Sequence, residues 1–326
     1  MSLRPKPFSK RRIIAFMFVI ATTATILPAV SLRAGGIMVR DASGHDVTVG
    51  DPSRIVAIGG AVTEILYALG LENHVVGVDS TSLYPAAALK MPNVGYMRQL
   101  SSEGVLGLNP SVIFAMQGSG PKETLDVLQA ANVPLVLVPE TYSEQGILDK
   151  ISLVGHALGA DTRAACLTAA VAHDLAQLKA LRAKVEKPVR VMFVMSLVNG
   201  RAMAAGRHTA ADEIIKLSGG VNAISEYEGY KPINDEAIVA AKPDVVLSID
   251  RGKDSLSADA IYQHPAFALT PAAANRSFMS MEGLYLLGFG PRTAAAARDL
   301  SVRLYPALAS EAEKFTPAAP TVDCLK

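Results

Sequence analysis

The chain has 326 residues and only two cysteines, Cys166 and Cys324, so nothing in it reads as a disulfide scaffold. Cys166 lies in a helical stretch and Cys324 in the C-terminal tail. A bridge is allowed in an oxidising compartment, but the reading adopted is two unpaired thiols. Beyond residue 36 no run is long and apolar enough to cross a membrane. The histidines at 45, 74, 156, 173, 208 and 264 show no metal-ligand spacing such as His-Glu-x-x-His. "QGSG" (117–120) is an incomplete nucleophile elbow. "GFGPRT" (288–293) lacks the third glycine and the preceding strand of a dinucleotide fingerprint, and no Walker A stretch occurs. No nucleophile, base and orienter stand out together, which leaves a secreted α/β enzyme as a distant alternative.

What is present begins with a leader. Residues 1–12 carry Arg4, Lys6, Lys10, Arg11 and Arg12 and no acid. The apolar run "IIAFMFVIATTATILPAV" (13–30) follows, and small residues close it at "SLRAGG". Basic head, apolar middle and small-residue exit describe a signal peptide over 1–34, cleaved near Ala34. No cysteine stands at its exit to take a lipid, so the expectation is a soluble protein in the periplasm. Residues 1–34 hold six Lys+Arg, which leaves 25 against 30 Asp+Glu in the mature chain, a formal charge of −5. That balance argues against a nucleic-acid partner. Half of the chain is hydrophobic and 19% is charged, a globular composition.

Short β-branched runs alternate with helical patterns. "RIVAI" (54–58), "HVVGVD" (74–79), "SVIFA" (111–115) and "PLVLVP" (134–139) read as buried strands, and "VRVMFVMS" (189–196), "DVVLSID" (244–250) and "SFMSM" (277–281) resume the rhythm. Helical spacing appears between them in "TEILYALG" (63–70) and "PKETLDVLQAAN" (121–132). Such alternation means α/β layers with largely parallel sheets. Residues 143–187 hold no strand. From Thr162 to Lys187 strong helix formers run uninterrupted, and a helix of about 23 residues would be roughly 35 Å long. That length suits a stiff spine between two lobes. The fold expected is therefore two Rossmann-like lobes: an N-terminal lobe (37–142), a helical linker with the spine (143–187), a C-terminal lobe (188–310) and a flexible tail (311–326).

An internal repeat supports the two lobes. "LSSEGVLGLNPSVIF" (100–114) aligns without a gap on "INDEAIVAAKPDVVL" (233–247), so that Glu103 meets Glu236 and Pro110 meets Pro243. Each copy reads as a helix capped by Ser101/Ser102 or Asn234/Asp235, then a Pro break, then a strand. "TEILYALG" and "DEIIKLSG" give a second echo. Two related lobes on a stiff helix imply a cleft between them.

A Gly-Tyr precedes the aligned Glu in both copies, at Tyr96 and Tyr230. Both are expected in loops leading into helix N-termini, facing the cleft. Tyr96 has Arg98 beside it. A phenol has a pKa near 10, so only about one in a thousand is ionised at pH 7, a cost of roughly 4 kcal/mol. Ferric iron and a nearby guanidinium both favour the anion, and phenolate is an axial ligand to haem iron. Arg98 would bond the phenol oxygen or pair with a haem propionate.

With these residues, "VGYMRQLSSEGVLGLNPSVIF" resembles the haem-binding periplasmic proteins of bacterial haem ABC importers, whose architecture is that of class III periplasmic binding proteins. "AAGRHTAADEIIKLSGGVNA" (204–223), "YKPINDEAIVAAKPDVVL" (230–247) and "HPAFALTPAA…LLGFGPRTAAA" (264–296) extend the likeness over nearly all of residues 50–305. The outer frame is shared with binding proteins for iron chelates and cobalamin. The resemblance implies transport of ferric haem b, with Tyr96 as the axial iron ligand and Arg98 in support. It implies partners in the permease of an inner-membrane ABC importer, docked through Glu103 and Glu236, and an outer-membrane haem receptor upstream. Arg251, with Lys253 beside it, is a candidate cation over the distal face, and Tyr230 and His208 are weaker candidate haem contacts. A ferric-siderophore or cobalamin carrier on the same scaffold is the alternative.

Overall fold

Each β-branched run becomes a strand, and the strands gather into two separate sheets. The computed structural model describes residues 1–4, 35–319 and 323–324. The chain divides into two units, Met1–Gly35 and Gly36–Lys326. Residues 1–4 of the first are exposed, and the rest of the expected leader, 5–34, lies outside the described residues. All the regular structure described belongs to the second unit, and among the described residues no helix is long and apolar enough to cross a membrane.

The N-terminal lobe opens with an antiparallel hairpin, β1 (Ile37–Arg40) and β2 (Asp46–Val49). Then come β3 (Ile55–Ile58), α1 (Gly60–Ala68), β4 (Val75–Val78), α2 (Ser102–Leu106), β5 (Val112–Met116), α3 (Lys122–Ala130) and β6 (Leu135–Val138). The sheet has the order β4-β3-β5-β6 and is parallel throughout. Its strands are apolar on both faces, as helices on either side require: Ile55, Val56, Ile58, Ile113 and Phe114 are all fully buried.

Two helices follow without a strand between them, α4 (Glu144–Ala157) and α5 (Asp161–Arg182). The second is the spine. At 22 residues it is about 33 Å long. Leu167, Val171, Leu175 and Leu178 are buried along it, and it packs against α4 and a later helix.

The C-terminal lobe runs β7 (Arg190–Val198), β8 (Arg201–Ala205), α6 (Ala210–Leu217), β9 (Val221–Asn222), β10 (Tyr230–Ile233), α7 (Asp235–Ala241), β11 (Val245–Asp250), α8 (Ala258–Tyr262), α9 (Pro271–Ala274), β12 (Phe278–Glu282), α10 (Gly283–Leu287), α11 (Thr293–Leu304) and α12 (Ala309–Ala312). Its sheet has the order β10-β8-β7-β11-β12, with β9 on β7. Strands β7, β9, β10, β11 and β12 run in one direction, and β8, between β7 and β10, runs against them. The sheet is largely parallel, as expected, and one turn makes the exception. Asn199 and Gly200 take φ values of 51° and 75°, and Val198 pairs with Arg201. That is a two-residue hairpin of the kind Asn-Gly favours, and it folds β8 back onto β7. The repeat aligned in the sequence falls on matching elements, α2 then β5 in one lobe and α7 then β11 in the other.

Two expectations about the C-terminus are overturned. Cys166 and Cys324 are bonded, with 5.7 Å between their Cα atoms, rather than free. Nor are the described residues after 310 a loose tail. Phe315 and Ala319 are buried, and the backbone N–H groups of Ala318 and Ala319 each donate to the buried carboxylate of Asp174 on α5 at 2.9 Å. The acid sits mid-spine because it satisfies those two amides.

Candidate functional site

In sheets with parallel strands, ligands gather where the carboxyl ends of the strands point. In the N-terminal lobe three connections meet there. Residues 93–95 run beside the end of β4, with Val94 N–H donating to Val78 O at 2.9 Å and Ser80 N–H to Gly95 O at 2.8 Å. Gly95 has φ +94°, a conformation other residues avoid, and it turns the chain outward. Met97 and Leu100 are buried and act as anchors. Gly120, after β5, donates to Met97 O and accepts from Leu100 N–H, both at 2.9 Å. With Met97 held inside, its neighbours Tyr96 and Arg98 are turned outward together.

Their geometry is specific. Arg98 Nη1 donates to the Tyr96 hydroxyl oxygen at 2.6 Å, and the guanidinium carbon lies 5.8 Å from the ring centroid. Tyr96 keeps 39% of its surface exposed. Burial works against the charge on Arg98, yet the Tyr96 bond and the nearby Tyr142 and Glu140 hold its pKa above the usual value.

Glu140 and Tyr142, which the sequence reading missed, follow β6. Gln117 explains how they reach the site. Its backbone N–H donates to Val138 O at 2.7 Å, and its side-chain oxygen accepts from Glu140 N–H at 3.2 Å. Burial pushes the Glu140 carboxyl up, while Lys150 and Arg98 hold it down. Burial likewise pushes the Tyr142 hydroxyl up, with Glu140 and Tyr230 adding to the rise.

Tyr230 belongs to the other lobe. It lies on the edge strand β10, not in a loop as expected, opposite Ala205. Its ring meets Phe193 edge-on with centroids 6.2 Å apart. Burial raises its pKa, and the Ala211 amide, the Thr209 hydroxyl and Arg98 oppose that rise. Arg98 thus acts on Tyr230 from the other lobe through its charge, while Tyr96, Arg98, Glu140 and Tyr142 stand on the loops of the N-terminal lobe.

The remaining candidates are more scattered. Arg251 follows β11 and points Nη2 at Met195 Sδ, 2.7 Å away. Lys253 is exposed in the turn that follows. His208 takes φ +56°, its N–H donates to Asp212, and its ring lies 3.5 Å from Glu228, with no described contact to Tyr96 or Arg98. Glu103 and Glu236 are exposed in the first turns of α2 and α7, capped by Ser101 and Asn234. Among the described residues no group of three or more His, Cys, Asp and Glu is arranged to hold a metal ion.

A seam of buried charge joins the two lobes. Glu64 on α1 accepts from Arg292 N–H and Nη2, both at 3.0 Å. The Arg292 guanidinium lies 3.6 Å from the Tyr84 ring centroid and 5.1 Å from that of Tyr285. Lys150 on α4, 1% exposed, donates to Phe289 O at 3.2 Å and lies 3.7 Å from Glu140. Thus "GFGPRT" is the loop of the C-terminal lobe that both charges grip.

Known proteins share this frame. The profile of the periplasmic binding protein family matches residues 55–283. The solved structure of the periplasmic haem-binding protein RhuT from Roseiflexus sp. RS-1, in its apo form, superimposes with a TM-score of 0.75 at 39% identity, covering 78% of this chain and 98% of that one. An uncharacterised ABC transporter substrate-binding lipoprotein, YvrC of Bacillus subtilis (strain 168), is 26% identical over 274 residues, 83% of this chain and 86% of its own length. The vitamin B12-binding protein of Yersinia pestis (strain Pestoides F) is 24% identical over 200 residues, 60% of this chain and 68% of its own. The lobes, the spine helix and these matches agree, and the chain belongs to the periplasmic binding protein family.

Proposed function

We propose that this protein binds ferric haem between its lobes, with the Tyr96 oxygen as axial ligand, and delivers it to the permease of an ABC importer. The observation that carries the reading is the 2.6 Å bond from Arg98 to the Tyr96 hydroxyl. A guanidinium there stabilises the phenolate that ferric iron requires. A bare ferric ion needs several protein donors. A porphyrin supplies four nitrogens and leaves two axial positions, one of which a single phenol is able to fill. Arg98 also remains available to a propionate, and Tyr230 and Arg251 offer contacts from the other lobe. The haem-binding relative at 39% identity supports haem as the cargo. Export by the leader over 1–34 would put the mature chain in the periplasm, and Glu103 and Glu236 would meet the permease.

A cobalamin cargo is the second reading, favoured by the vitamin B12-binding relative at 24% identity. One experiment separates the two. Mature protein is titrated with hemin and, separately, with cyanocobalamin. The expected result is a ferric tyrosinate spectrum with hemin that Tyr96→Phe abolishes. Tight cobalamin binding without that spectrum would overturn the haem reading.

A further inference from the structure

We propose that Lys150 and Glu140 are positioning residues for the iron-binding pair: Lys150 occupies the Glu140 carboxylate and so leaves the Arg98 guanidinium to the Tyr96 oxygen. The inference rests on Tyr96 being the haem ligand and names what keeps that ligand competent.

The placement follows from the backbone. Gly120 bonds the Met97 loop on one side, and Gln117 bonds both Val138 and Glu140 on the other. These bonds lace the connections after β4, β5 and β6 into one rim, which carries Arg98 and Glu140 on neighbouring loops. Glu140 thus stands on the same rim as the phenol that Arg98 bonds. A carboxylate is the stronger partner for a guanidinium than a neutral phenol, through charge and a two-point fit. Arg98 nevertheless bonds the phenol.

Lys150 supplies the reason. Its ammonium is 1% exposed and lies 3.7 Å from Glu140 Oε1. Burial pushes the Lys150 pKa down and Glu140 opposes that fall, so the charge on each depends on the other. The other charged and titratable groups around the pair are Glu64, facing Lys150 from α1, and Tyr142 and Tyr230, facing Glu140. Lys150 also donates to Phe289 O in the C-terminal lobe. One side chain therefore joins the lobe contact to the iron-binding pair. Without Lys150, Arg98 is the cation left to Glu140, and it turns away from Tyr96.

The test uses the mature chain loaded with hemin, read by the tyrosinate charge-transfer band and by the rate of haem loss to excess apomyoglobin. Lys150→Met is expected to weaken the band and speed haem loss about tenfold, the order lost with one charge-assisted hydrogen bond. Adding Glu140→Gln to Lys150→Met restores both, because the competing carboxylate is gone. In an Arg98→Ala background, Lys150→Met changes neither. An unchanged band and rate in Lys150→Met, or an equal acceleration without Arg98, overturns the proposal. Should Lys150→Met fail to fold, Glu140→Gln alone decides: a slower or equal rate of loss agrees, and a faster one refutes. A wild-type protein with no tyrosinate band rejects the haem reading itself, a distinct outcome.

Discussion

Glu64 and Arg292 show how a single pair of side chains fixes a lobe contact. Their side chains are 5% and 14% exposed, so each charge depends on the other. Burial pushes the Glu64 carboxyl up, and Arg292 holds it down. Removing one partner of a buried pair commonly costs about 3–5 kcal/mol, because the survivor is left uncompensated. Glu64→Gln is therefore expected to lower the unfolding free energy by about 3 kcal/mol, the low end because the amide still accepts hydrogen bonds. Glu64→Met with Arg292→Met should recover most of that loss. Denaturant unfolding of the three variants checks it, and a double variant no better than the single one would mean that the pair is not the source. At this scale the sequence was legible where chemistry was local. Tyr96 and Arg98 are two residues apart, and their hydrogen bond is the one that spacing suggested. Glu140, Lys150 and Tyr142 were not legible. Lys150 meets Phe289 across 139 residues of chain, and no local pattern carries such a meeting.

The spine helix makes the same case for elements. Its extent was plain from an unbroken run of helix formers, and 22 residues is what formed. Its bracing was not plain. The C-terminal segment lies against α5, tied by Asp174 to two backbone amides and by Cys166 to Cys324. The two cysteines are 158 residues apart, so the bond restricts a long loop in the unfolded chain. Chain entropy alone would give about 5 kcal/mol for a loop of that size, and bridges typically deliver about 2–4 kcal/mol. Cys324→Ser is expected to lower stability by that amount while leaving the haem spectrum unchanged, since the bridge is remote from Tyr96 in the chain of contacts described. Thermal unfolding with and without reductant measures it. A variant whose melting is unchanged, or a wild type insensitive to reductant, would refute the role. Element by element, strands announced by β-branched runs all formed, because burial on both faces leaves a continuous apolar signature. Strand β8 escaped notice, although "VNGR" carries the turn that creates it. Strand β10 contains Pro232 and sits at the sheet edge, which is where a strand tolerates proline and where its pattern is weakest.

At the scale of the whole molecule, the seam, the braced C-terminal segment and the spine together decide what a partner meets. Glu103 and Glu236 stand on separate lobes, each exposed in the first turn of a capped helix. Because buried charges pin one lobe to the other, the distance between these two acids is set by the fold rather than by the moment of encounter. A partner with two matching cations would then read the spacing as well as the charge. Exposed charges of this kind act mainly on the rate of encounter, and salt screens them. We therefore expect Glu103→Lys and Glu236→Lys each to slow association with the haem-importer permease about tenfold at low salt, with less difference at high salt. Haem binding should be untouched in both, because neither acid has a described contact with Tyr96 or Arg98. The measurement is haem-stimulated ATPase activity of the reconstituted permease across a salt series, with hemin titrations as the control. Equal loss on either lobe, and no additional loss of haem affinity, is the expected pattern. Stimulation that survives both reversals at low salt would show that docking uses another face, whatever the cleft carries.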